Sequence, residues 1–151
     1  MRACLWMLCL FTTLIGCSGG SRGDFAPVSG RVVINGEGAA GIVVTTDPDA
    51  PLVGTERVPG SSAVSGVDGF FRLRKSVGSG EAGAYVGRHR VTLAGRERVG
   101  VDDLEDMSDD QRSSLPKFVL SDEQRNAGEI DVPSGGLSEL TLVVDGAEVA
   151  D

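Results

Sequence analysis

Seven short runs of this chain alternate apolar and polar side chains with a period of two, which turns one face of each run toward a core. Val28, Gly30, Val32 and Ile34 alternate with Ser29, Arg31 and Val33, and the Asn35, Gly36 pair that follows suits a tight hairpin turn. Ile42, Val44 and Thr46 form a second run, expected to pair with the first. The stretch from Asp47 to Ser61 holds Pro48, Pro51 and Pro59 and two glycines, so it reads as a long surface loop. Strand character returns with Ser62 to Val64. Asp68 and Gly69 then signal a turn into Phe71 and Leu73, whose neighbours Phe70, Arg72 and Arg74 face the other way, and a second hairpin is expected there. A glycine-rich connection from Ser76 to Gly87 leads to a fifth run, in which His89, Val91 and Leu93 alternate with Arg88, Arg90 and Thr92. Ile130 and Val132 form the sixth run, and Leu140, Leu142 and Val144 the seventh, with Pro133 to Gly136 as the turn between them.

Seven strands with turn signals between them, and no sustained helical period, predict an antiparallel β-sandwich. Its core would comprise Val28, Val32, Ile34, Ile42, Val44, Val64, Phe71, Leu73, Val91, Leu93, Ile130, Val132, Leu140, Leu142 and Val144. Each would contribute about 1.5 to 3 kcal/mol on burial as an upper value, enough for one modest domain.

The N-terminal segment follows a different logic. Residues 3 to 16 form an apolar run behind Arg2 that is too short for the roughly 18 residues a membrane span needs. The run closes on Leu14, Ile15, Gly16 and Cys17, a lipobox of a bacterial lipoprotein signal peptide, with cleavage between Gly16 and Cys17 and lipid on the Cys17 sulfur. An ordinary secretory signal with a coincidental cysteine is the competing reading. The expected organisation is therefore a signal peptide over 1–16, a flexible tether over 17–26, a sandwich domain over 27–145 and a tail over 146–151. Because Cys4 and Cys9 leave with the leader and lipid occupies Cys17, no disulfide is available and the domain must fold on its core alone.

Removing residues 1–16 takes away one base and no acid, leaving 13 basic and 22 acidic residues, a formal charge of −9. That balance disfavours a nucleic-acid partner. Within it, Arg72, Arg74, Arg88 and Arg90 are expected on outward faces of strands four and five, and if those strands are neighbours they make a basic stripe suited to an envelope polyanion. Otherwise they are solvated charges that discourage edge pairing. The acidic residues Asp102, Asp103, Glu105, Asp106, Asp109 and Asp110 lack the glycine and terminal glutamate of an EF-hand loop. They read as a solvated loop or short helical turn, with a weak cation site as the alternative. His89 is the only histidine; no nearby motif gives it a serine and a carboxylate, so a half-buried ring is expected rather than a catalytic one. No catalytic residue, cofactor or metal is predicted.

Three motifs, Val28 to Val32 with Asn35 and Gly36, Val67 to Leu73, and Gly87 to Val91, together resemble the carboxypeptidase regulatory-like, or transthyretin-like, domain of small bacterial lipoproteins. Leu115, Pro116, Lys117 and Phe118 look like the segment that precedes the final hairpin in that family. The resemblance implies an all-β, seven-stranded Greek-key sandwich of the prealbumin-like kind. It also implies a structural or binding module without chemistry of its own. The lipobox adds the expectation that this module, a monomer, is anchored to a membrane and faces periplasm or exterior. Ser18 after the cysteine favours the outer membrane, and an envelope polysaccharide or protein is the expected partner. Hydrolytic relatives of transthyretin use several histidines and a C-terminal Tyr, Arg, Gly, Ser signature, and this chain has one histidine and no such signature.

Overall fold

A computed structural model describes residues 24–49, 52, 53, 56–78, 80–95 and 117–150. The leader, Cys17, most of the tether, the acidic run at 102–110 and the Leu115, Pro116 pair lie outside the described residues.

The first described strand, β1 (Phe25–Ala26), lies inside the stretch read as tether, and Ala26 is buried. After Pro27 comes β2 (Val28–Ile34), in which Val28, Gly30, Val32 and Ile34 are buried and Arg31 is exposed. Asn35 at φ 52° and Gly36 at φ 88° make the left-handed turn into β3 (Glu37–Gly38). Then follow β4 (Val43–Pro48), β5 (Leu52–Val53), β6 (Glu56–Arg57) and β7 (Ser61–Val64). The β5 and β6 pair is a small hairpin inside the proline-rich stretch that reads as a loop. Next are β8 (Phe70–Arg72), β9 (Arg74–Lys75), β10 (Ala84–Tyr85) and β11 (Gly87–Ala94), whose inward residues are His89, Val91 and Leu93. Beyond the acidic run lie β12 (Lys117–Val119), the one-turn helix α1 (Asp122–Arg125), β13 (Asn126–Val132), β14 (Leu137–Val144) and β15 (Glu148–Ala150). Residues 148–150 are thus not a free tail: β15 pairs with β12.

Two sheets carry the fold. One is five-stranded in the order β13, β11, β4, β7, β9; the other is four-stranded, with β2 between β14 and β3 and also paired to β8. Their inner faces share one core that includes Val28, Val32, Ile34, Phe71, Leu142 and Val144 from one sheet and Val44, Val91, Leu93 and Val132 from the other. Every residue expected in the core is buried or half-buried; Val64, Ile130 and Leu140 are the half-buried ones. The protein is all-β and sandwich-like.

Strand pairing departs from the sequence reading in three places. The strands at Val28 and Val43 do not pair, because the chain crosses between sheets after β3. Ala39, Ala40, Gly41 and Ile42 are all buried, so this is an interior crossover and not a surface turn. Ser65 makes the crossover tolerable: its hydroxyl donates to the Ala39 carbonyl at 2.6 Å and accepts from the Ile42 N–H at 2.9 Å. Likewise β7 and β8 part at the Gly66 to Gly69 turn, where Gly69 at φ 80° lies against the β2 backbone so closely that only a glycine fits. Finally, β13 and β14 belong to different sheets. Pro133 has no N–H with which to continue the ladder, and the Leu137 N–H donates to the Pro27 carbonyl at 2.8 Å, setting β14 parallel to β2. The sandwich is therefore not wholly antiparallel.

Candidate functional site

The structure separates the four arginines. Arg72 lies on β8 opposite Ser29 in the four-stranded sheet; Arg74 lies on β9, at the edge of the other sheet, opposite Ser62. Arg88 and Arg90 lie on β11, with β4 and β7 between them and β9. Three strand spacings put β9 and β11 roughly 14 Å apart. All four side chains are exposed, as their alternation predicts, but they do not share a stripe.

Instead, β11 presents its two arginines in rows with acids. Arg90 sits between Asp47 on β4 and Glu129 on β13, and Arg88 faces Asp131 on β13. On its other side the Asp49 N–H donates to the Arg88 carbonyl at 2.9 Å. Arg88 Nη1 is 4.0 Å from Glu129 Oε2, an ion pair on the diagonal between the two rows. Cross-strand charge alternation of this kind favours the observed register, and the two rows hold three carboxylates, Asp47, Glu129 and Asp131, to two guanidiniums.

His89 is only 1% exposed, deeper than the half-buried ring its position at a strand start suggests. Its register with Val91 and Leu93 aims it inward, and Pro48 and Ile130 lie opposite it on the two neighbouring strands. Nε2 is 2.7 Å from the Tyr85 carbonyl, which can only accept, so Nε2 carries the hydrogen. Nδ1 is buried and has no hydrogen-bond partner among the described residues, and the same holds for the hydroxyl of Ser61. Thr46 on the strand between them donates to the Ser61 carbonyl at 3.3 Å. The three make a small polar patch within the core, with His89 held by a backbone group and not by an acid.

A second cluster escaped the sequence reading because Phe25 falls in a polar stretch. In the β1 and β10 ribbon, Ala26 and Ala84 face the core, and Phe25 pairs with Tyr85 on the opposite face. The two rings meet edge to face at 4.9 Å, and the Lys75 ammonium lies 5.8 Å from the Tyr85 centroid.

The lipidation residue Cys17, the cleavage position at Gly16 and the acidic cation candidate lie outside the described residues. Among the described residues there is no group of three or more His, Cys, Asp or Glu side chains placed to hold a metal ion, and no helix long and apolar enough to cross a membrane. No protein-family model, curated protein or solved structure matches the chain.

Proposed function

We propose that the chain is a lipid-anchored protein of the bacterial envelope, held by lipid on Cys17 and facing periplasm or exterior, whose β-sandwich is a noncatalytic structural or binding module. The observation that carries this reading is the tetrad Leu14, Ile15, Gly16, Cys17 closing a 14-residue apolar run. A noncatalytic role is supported by the setting of His89, buried and hydrogen-bonded to a backbone carbonyl. Within the all-β class, a Greek-key sandwich of the transthyretin-like kind is supported by the turn and core motifs and by a chain path that passes repeatedly from one sheet to the other. The outer face of the five-stranded sheet, with Asp47, Arg90 and Glu129 in one row, favours an envelope protein over a polysaccharide as partner.

Metabolic labelling with a fatty-acid probe tests the anchor. Label should enter the wild-type chain and be absent from Cys17→Ser, since no other cysteine follows residue 17. Label retained in the Cys17→Ser protein would overturn the reading.

A further inference from the structure

We infer that the Phe25 and Tyr85 ring pair, with Lys75, is the surface by which the domain rests on the headgroup layer of the membrane that anchors it. The inference rests on lipidation of Cys17 and adds to it an orientation for the folded domain. Three observations converge on this surface. Seven peptide steps separate Cys17 from Asp24, so the start of the β1 and β10 ribbon stays within about 25 Å of the lipidated residue even at full extension. Alternation leaves Ala26 and Ala84 to fill the core, so the two rings, each half-buried, lie on the ribbon's other face. Lys75 adds an ammonium, held near the Tyr85 ring, that can meet a lipid phosphate.

Aromatic rings with one polar edge concentrate at the membrane interface, and Tyr85 has such an edge. Nearby charges are mixed: Arg74 and Lys75 are balanced by the exposed acids Asp24 and Glu81. Seating therefore depends on the rings and on the short tether more than on anionic lipid. A bound lipid chain already confines the domain to the surface, so weak interfacial contacts suffice to orient it.

The chain supplies its own probe. Tyr85 is its only tyrosine, and the only tryptophan, Trp6, leaves with the leader. The mature lipidated protein is reconstituted on vesicles of phosphatidylcholine, with and without phosphatidylglycerol, containing a lipid spin-labelled at the headgroup. Loss of Tyr85 emission on both vesicle types is expected, with emission restored by Phe25→Ser. Lys75→Glu is the second variant, and circular dichroism melting of each checks the fold. If the protein carries the fatty-acid label and floats with the vesicles but Tyr85 emission is unchanged, the inference falls and the anchor stands. Equal quenching in wild type and both folded variants would also overturn it, because tether length alone would then account for the proximity. Absence of label and of vesicle binding would remove the anchor and the inference together.

Discussion

The carbonyl of Leu140 lies directly against Cα of Gly30, where β14 slips its register along β2. Leu137 faces Val28, but Leu140 faces Gly30, so one extra residue of β14 is taken up between them. A Cβ at position 30 would overlap the Leu140 carbonyl, which is backbone and cannot rotate away. Gly30→Ala is thus expected to destabilise the domain by about 3 kcal/mol, the upper end of overpacking costs. Urea unfolding measures it, and a loss below about 1 kcal/mol would mean that the bulge relaxes at little cost.

Asn35 does two jobs at once. Its backbone occupies the left-handed region at φ 52°, and its side chain ties the Asp145 to Ala147 loop to the turn. Nδ2 donates to the Ala147 carbonyl at 3.0 Å, and Oδ1 accepts from the Gly146 N–H at 2.7 Å. Two substitutions separate the jobs. Asn35→Gly keeps the backbone and loses both bonds, at about 1 to 2 kcal/mol. Asn35→Ala loses the same two bonds and, unlike Gly, keeps a Cβ in the left-handed region without the polar side chain that lets Asn tolerate it, leaving it about 1 kcal/mol below the Gly variant. Thermal melting should rank wild type above Gly and Gly above Ala; an Ala variant as stable as the Gly variant would show that the turn changes type.

What the sequence made legible and what it hid have separate physical causes. Burial on one face leaves a period of two in the residues themselves, so Val28 to Ile34, Arg88 to Ala94 and Leu140 to Val144 announce both strand and core. Alternation does not state which sheet a strand joins. The pairing of β2 with β14, in contact across more than a hundred residues, depends on the buried crossover at Ala39 to Ile42 and on Pro27 receiving Leu137. The arginines show the same division: their outward direction follows from the pattern, and their separation onto β8, β9 and β11 does not. One missed element did carry a signal. Ser121 and Gln124 form a reciprocal capping box at α1, and the Ser, Asp, Glu, Gln string matches that pattern in plain sequence.

Asp68 should titrate below the ordinary aspartate range. The main cause is the Phe70 N–H, which donates to its carboxylate at 3.2 Å; Arg31, whose Nη2 is 3.4 Å away, adds a smaller lowering. A folded-state pKa below the unfolded one means that the contribution to stability is present above the ordinary aspartate pKa and is lost as pH falls through the lowered one. Carboxyl carbon chemical shifts followed across acid pH would give the midpoint. Because the Phe70 N–H is the largest single cause, Arg31→Ala should leave the Asp68 pKa still lowered. A midpoint that returns to the ordinary value in that variant would make the guanidinium, and not the turn, the controlling group.

The charge row across β4, β11 and β13 yields a contrast between two arginines that sequence alone treats alike. Arg90→Glu would place a carboxylate between Asp47 and Glu129, two like charges directly opposite it on neighbouring strands. Each unfavourable cross-strand pair costs roughly 0.2 to 1 kcal/mol, so the substitution should destabilise by about 1 kcal/mol. Arg72→Glu, opposite Ser29 in the other sheet, meets no such row and should change stability by no more than about 0.5 kcal/mol. Salt separates electrostatics from packing. The Debye length falls from about 10 Å at 0.1 M to about 3 Å at 1 M, so the Arg90→Glu deficit should shrink at high salt while a packing defect would persist. Denaturant unfolding of both variants at the two salt concentrations decides it, and equal effects from Arg72 and Arg90 would mean that the alternating row does not fix the register of β11.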